Sequence, residues 1–194
     1  MKKILLTFFL CTAAYWASAQ EDDPLRQFNE NRKRITQTGM LTLGSWAVGN
    51  IAVNGVLMSR SSGTPYYFQQ MNVFWNLVNL GLAGFGYYNA TQIDPAAIGL
   101  TETVEEYYSL QKILLFNAGL DIGYMAGGLY LIERARRSGN TDERLRGYGQ
   151  SVILQGAFLL AFDTILFFIL DARADNLLPL LNLSQDGVGM RIRF

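Results

Sequence analysis

The residues best able to do chemistry in this sequence are two aspartates and a set of asparagines lying inside otherwise apolar stretches. Asp121 and Asp163 interrupt runs of large hydrophobic residues, and Asn50, Asn54, Asn72, Asn76, Asn79 and Asn117 do the same at steps of three and four. Those steps keep to one face of a helix. A carboxyl among amides can accept hydrogen bonds, share a proton with a second carboxyl or hold a cation, and acids inside hydrocarbon are candidates for function by default. The chemistry open to them is narrow. Histidine is absent, and the single cysteine, Cys11, falls in the leader described below, so the usual general base, the commonest metal ligand and a thiol nucleophile are missing together. Paired aspartates alone can hydrolyse bonds, but Asp121 follows Leu120 and Asp163 follows Phe162, without the Gly-Asp type of flanking that would point to such an enzyme. No catalytic set, cofactor or metal site is expected.

The elements that must position these residues are apolar. Half of the 194 residues are hydrophobic and 16% are charged, against about 25% charged in an ordinary soluble domain. Sixteen basic and sixteen acidic residues cancel, so no basic excess points to nucleic acid. Four apolar stretches, 36–58, 68–90, 110–132 and 150–170, are each about 20 residues long, enough for a hydrocarbon core. Runs of that length without alternating polarity must be helices, because barrel strands need only about ten residues and alternate. The segment 188–194 does alternate and ends in Phe194, but one strand makes no barrel. The expected fold is therefore all-α: an integral membrane four-helix bundle over 36–171, made of two antiparallel hairpins, with a tail over 172–194.

Before the first apolar stretch come a leader and a polar segment. Lys2 and Lys3, the apolar run Ile4 to Trp16 and Ala17-Ser18-Ala19 give the layout of a secretory signal over 1–19, cleaved before Gln20. A lipid-modified Cys11 is rejected, since Phe8-Phe9-Leu10 lacks the small residues such a site needs. Residues 20–35 form a polar segment in which Asp22-Asp23-Pro24 starts a short amphipathic or interfacial helix. Ser61-Ser62-Gly63-Thr64-Pro65 reads as a tight turn closing the first hairpin.

Export of the mature N-terminus puts Arg60 and the arginine-rich connection of Arg134, Arg136, Arg137, Arg144 and Arg146 in the cytoplasm, as the positive-inside tendency requires. It leaves the acidic connection with Asp94, Glu102, Glu105 and Glu106 outside, with both mature ends in the periplasm of a bacterial inner membrane. Arg32, Lys33 and Arg34 depart from the rule, because this orientation leaves them outside beside the first span.

Each apolar stretch carries one polar stripe: Trp46, Asn50 and Asn54; Asn72, Asn76 and Asn79; Asn117, Asp121 and Tyr124; Gln155 and Asp163. Four stripes imply a bundle with a polar seam, in which amides on neighbouring helices satisfy one another and Asp121 can meet Asp163. Gly119, Gly123 and Gly127 make two overlapping small-xxx-small steps, expected to touch a neighbouring helix or another copy of the protein. Gly81, Gly84 and Gly86 read as a packing surface beside the interfacial aromatics Tyr87 and Tyr88.

The stretch Leu43-Gly44-Ser45-Trp46-Ala47-x-x-Asn50, followed by Asn72-x-x-Trp75-Asn76-x-x-Asn79 and Asn117-x-x-x-Asp121, resembles a family of small bacterial membrane proteins classed as a domain of unknown function. The resemblance covers most of the mature chain and implies the architecture, with no activity to carry over. The function expected from the residues is that of a non-enzymatic structural or accessory membrane protein, partnered by the lipid bilayer and by a second copy or a membrane complex. The alternative is a small channel or transporter for protons, ions or polar solutes that uses the Asp/Asn seam. For the orientation, reporter fusions at Pro65 and Asn140 are expected to behave as cytoplasmic and one at Thr101 as exported; the reverse pattern would overturn it.

Overall fold

The computed structural model describes residues 23–137, 142–177 and 179–180. The leader over 1–19, most of the tail and the alternating segment 188–194 lie outside the described residues. Four helices follow one another: α1 Pro24–Met58, α2 Gly63–Gln92, α3 Leu100–Arg137 and α4 Glu143–Asp171, with a 3-10 turn at Ala174–Asn176. No strand occurs among the described residues, and the architecture is an all-α bundle. The apolar stretches extend at both ends: α3 has 38 residues, about 57 Å at 1.5 Å per residue.

The segment expected to be a separate short helix is instead the first turns of α1. Asp23 caps that helix by accepting from the Leu25 amide, and Pro24 sits where its missing N–H costs nothing. From there no glycine-proline break interrupts the chain before Met58, so one helix runs through both segments. Asp142 caps α4 in the same manner, accepting from the amides of Arg144 and Leu145.

α1 packs on α2 and α3 on α4, the two antiparallel hairpins that the connections imply, and the hairpins join chiefly through α2 and α4. At the turn between α1 and α2, Gly63 has a φ of +63°, a left-handed conformation costly for other residues, and a Cβ there would come within 2.8 Å of the Glu143 carboxylate. An apolar cluster of Phe28, Tyr107, Leu114, Leu166, Leu170 and Leu177 fills the end where the starts of α1 and α3 meet the end of α4.

Two helix contacts bring backbones together: α4 on α2, where a Cβ on Gly147 would stand 2.5 Å from the Thr64 carbonyl oxygen and 2.7 Å from the Phe68 nitrogen, and α4 on α3. A Cβ on Gly149 would stand 2.5 Å from the carbonyl oxygen of Gly128, and one on Gly128 would stand 2.7 Å from that of Gly149. Gly156 lies in the same line, its Cβ position 3.0 Å from the Asp121 carbonyl. The stripe Gly119, Gly123 and Gly127, expected to make intrachain or intercopy contacts, meets open space on the outer face of α3. At 100° per residue it lies nearly opposite Asp121 and Gly128, which face α4. Of Gly81, Gly84 and Gly86, only Gly86 faces a neighbour, the Met40 side chain of α1.

Four apolar helices long enough to span were expected; two, α1 and α4 with its following turn, are long and apolar enough to cross a membrane. α2 and α3 fall short: α2 holds Asn72, Asn76, Asn79 and Asn89, α3 holds Asn117 and Asp121, and both carry several glycines and tyrosines. Gly149→Ala is expected to destabilise the bundle by about 1–3 kcal/mol through backbone overpacking. Gly123→Ala, into open space, is expected to leave stability unchanged or to raise it by up to about 1 kcal/mol. Thermal unfolding in mild detergent followed by circular dichroism measures both.

Candidate functional site

A seam of buried polar side chains runs through the bundle beside its apolar core. Asn72, Asn76 and Gln155 have no exposed surface, Asn79, Asp121 and Asp163 are buried with them, and Asn54 is buried at the far end of α1. Asn50 and Asn117 are half-buried. Outside, the side chains are apolar: Phe85 and Phe116 are 68% exposed.

The asparagines do not satisfy one another across helices as expected. The Asn50, Asn54, Asn72 and Asn76 amides each donate to the carbonyl four residues back in their own helix, at 2.8–3.0 Å. An amide in a helix can reach that carbonyl without meeting any neighbour, and the bond forms wherever the rotamer allows. The cross-helix link runs instead through Gln155. Its Nε2 donates to Asn72 Oδ1 at 2.6 Å, and its Oε1 accepts from Trp46 Nε1 at 3.1 Å, tying α4 to α2 and α1. Trp46 is held flat against Phe158 at 3.9 Å between ring centroids.

Asp121 and Asp163 do meet, their carboxyls lying within hydrogen-bonding reach of each other. The reason is geometric. Helical Cα–Cβ bonds lean toward the N-terminus, so on antiparallel α3 and α4 the two side chains lean toward each other along the axis. A carboxyl–carboxyl contact is a hydrogen bond only with a proton between the oxygens. Apart from that neighbour, Asp121 Oδ2 has no donor, and Asn79 Nδ2 and Asn76 Oδ1 are also buried without a partner.

Four of the eight expected residues, Asn79, Asn117, Asp121 and Asp163, line one cavity of about 480 Å³ to which all four helices contribute. Asn72 and Asn76 belong to the seam but not to this cavity's wall, and Asn50 and Asn54 lie farther along α1. The rest of the wall is mostly apolar, including Leu43, Trp75, Leu159, Phe162 and Leu166. Trp75 meets Tyr124 edge to face at 5.0 Å, the one aromatic bridge between α2 and α3 among the described residues.

A second polar set, absent from the sequence-based site, lies toward the starts of α1 and α3. Asn29 and Thr103 exchange two hydrogen bonds, of 2.9 and 3.1 Å, and buried Arg32 forms an ion pair with Glu106. Lys33 donates to the carbonyls of Thr91 and Ile93 at the end of α2. Tyr107 donates to the Leu170 carbonyl at 3.0 Å; burial first, then the nearby Asp171 carboxylate, pushes its phenol up to about 12, so it stays protonated. Thr103, Tyr107, Gln111, Leu114 and Asp121 all lie on the buried face of α3. Extending the Asp121 stripe backward past the apolar stretch finds them.

Fold and site together define a four-helix bundle with a polar seam inside and an apolar exterior. The chain belongs to the Family of unknown function (DUF6992), whose model matches residues 42–164, a range that contains the Trp46, Trp75 and Asp121 motifs of the resemblance. No curated protein and no solved structure matches it. Gln155→Leu, which strands Trp46 Nε1 and Asn72 Oδ1, is expected to destabilise by about 1–3 kcal/mol. Asn50→Ala, whose amide serves its own helix, is expected to be near neutral, within about 0.5 kcal/mol; equal losses by chemical denaturation in detergent would remove Gln155 from its bridging role.

Proposed function

We propose that this chain is a non-enzymatic, multi-pass protein of a bacterial inner membrane, a structural or accessory subunit acting through its helix surfaces, with both mature ends periplasmic. The observation that carries the reading is the inverted polarity of the bundle. Val78, Phe85 and Phe116 are exposed, while Asn72, Asn76 and Gln155 are sealed inside. An exterior of that kind is an aggregation hazard in water and matches lipid chains, among which helices associate through small residues and interhelical hydrogen bonds. The hydropathy of α1 and α4 supports the same reading, and among the residues that lower that of α2 and α3, Asn72, Asn76, Asn79 and Asp121 are turned inward by the bundle.

The charges also support the orientation. Arg32 is paired with Glu106 and Lys33 holds two carbonyls of the α2 terminus, so these two cations are engaged within the fold. Arg136 and Arg137 at the end of α3 pair with Glu133 on exposed surface, with no other acid among the described residues. Net positive charge is thus more available at that end, the one assigned to the cytoplasm.

The test is retention in the membrane fraction after carbonate washing, with the protein floating together with added liposomes. Release into the wash would overturn the reading. A second reading, a small proton, ion or solute pathway, is favoured by the Asp121–Asp163 pair in the cavity wall. It requires flux in liposomes that Asp121→Asn lowers, and no flux at any pH would sink it.

A further inference from the structure

We infer that the cavity among the four helices binds an apolar alcohol that enters sideways between α2 and α3, with its hydroxyl held by the Asp121–Asp163 carboxyls and the Asn79 amide. This deepens the second reading by naming a ligand class, and the sideways entry rests on membrane residence.

The mouth is lateral. Val78 and Leu82 of α2 and Ile113, Leu120 and Tyr124 of α3 both line the cavity and are exposed. These residues lie well inside their helices, so the opening is in the flank of the bundle, where hydrocarbon would be. α2 and α3 are not among the helix pairs that pack closely, which leaves the gap between them.

The inner wall asks for a particular head group. Asp121 Oδ2 is buried with no donor other than the Asp163 carboxyl, and Asn79 Nδ2 is buried without an acceptor. A hydroxyl is donor and acceptor on one oxygen, so it can satisfy both. Among the described residues that line the cavity none is basic, so nothing there compensates an anionic head beside two carboxyls. A volume of about 480 Å³ falls within the roughly 300–1,000 Å³ of small-molecule sites. Leu43, Leu159, Phe162 and Leu166 offer the remaining surface to a chain or ring system.

Trp75 lines the same cavity and can report on occupancy. The full chain carrying Trp16→Phe and Trp46→Phe, the latter keeping a ring against Phe158, is placed in phosphatidylcholine nanodiscs, so that Trp75 is its single tryptophan. It is titrated with a terminally brominated undecanol, the matching bromoalkane and the matching bromo-fatty acid. The alcohol is expected to quench Trp75 saturably, the alkane only in proportion to its concentration, and the acid to need about ten-fold more for half-saturation. Val78→Phe, at the exposed mouth, and Asn79→Leu are each expected to raise the alcohol's half-saturation by about ten-fold. Because Val78 is 64% exposed, its replacement keeps the test valid if Asn79→Leu does not fold.

Equal quenching by alcohol and alkane, or an unchanged curve in the Val78 variant, would overturn the alcohol site while leaving membrane residence standing. A protein that does not enter the discs would overturn membrane residence, and the same titration in detergent micelles then decides the site by the same two criteria.

Discussion

The backbone-to-backbone approach of α3 and α4 at Gly128 and Gly149 is the contact on which the interior depends. It admits no Cβ on either helix, and it fixes the pairing of residues along both. From that register Gly156 falls against the Asp121 carbonyl and, farther along the same antiparallel ladder, the Tyr107 hydroxyl reaches the Leu170 carbonyl. The carboxyls of Asp121 and Asp163 then close the distance because helical side chains lean toward their N-termini. A larger residue at the glycines would push the helices apart along their whole length.

α2 joins this arrangement by backbone packing of Gly147 against Thr64 and Phe68 and by Gln155, whose amide is shared between Asn72 and Trp46. One side chain thereby links three helices, which matters because most asparagine amides are turned back on their own helices and link nothing. The seam is therefore uneven. It holds strongly at Gln155 and at the Arg32–Glu106 end, and between them it is loose, with unpaired amide and carboxyl atoms around the cavity. Polar groups that hold helices together and polar groups left unsatisfied coexist on the same stripes.

Much of this was legible in the sequence. The three- and four-residue steps of Asn72, Asn76 and Asn79, and of Asn117 and Asp121, marked the inward faces, and the turn at Gly63 marked the first hairpin. What the stripes could not convey is which partner each amide takes, since own-helix and cross-helix bonds use the same residues and differ only in rotamer. Gly119, Gly123 and Gly127 have the spacing of a contact face, but their angular distance from Asp121 puts them outside, away from every helix of the same chain. Asn29 and Arg32 of α1 and Thr103 and Glu106 of α3 precede the apolar stretches, where both helices have already begun, so no hydrophobic run marks them.

The sparse contact between α1 and either α3 or α4 has a consequence for assembly. Each hairpin packs sequence neighbours across a short loop, so the loop-closure entropy opposing it is small, and the Gly147 contact with Thr64 and Phe68 then joins the two. During synthesis the first hairpin has its main packing partner before α3 is made, and the glycine-lined second hairpin completes itself in turn. The order in which the chain emerges is thus the order in which its contacts become available, and the last to form are those through Gln155 and the residues around the cavity.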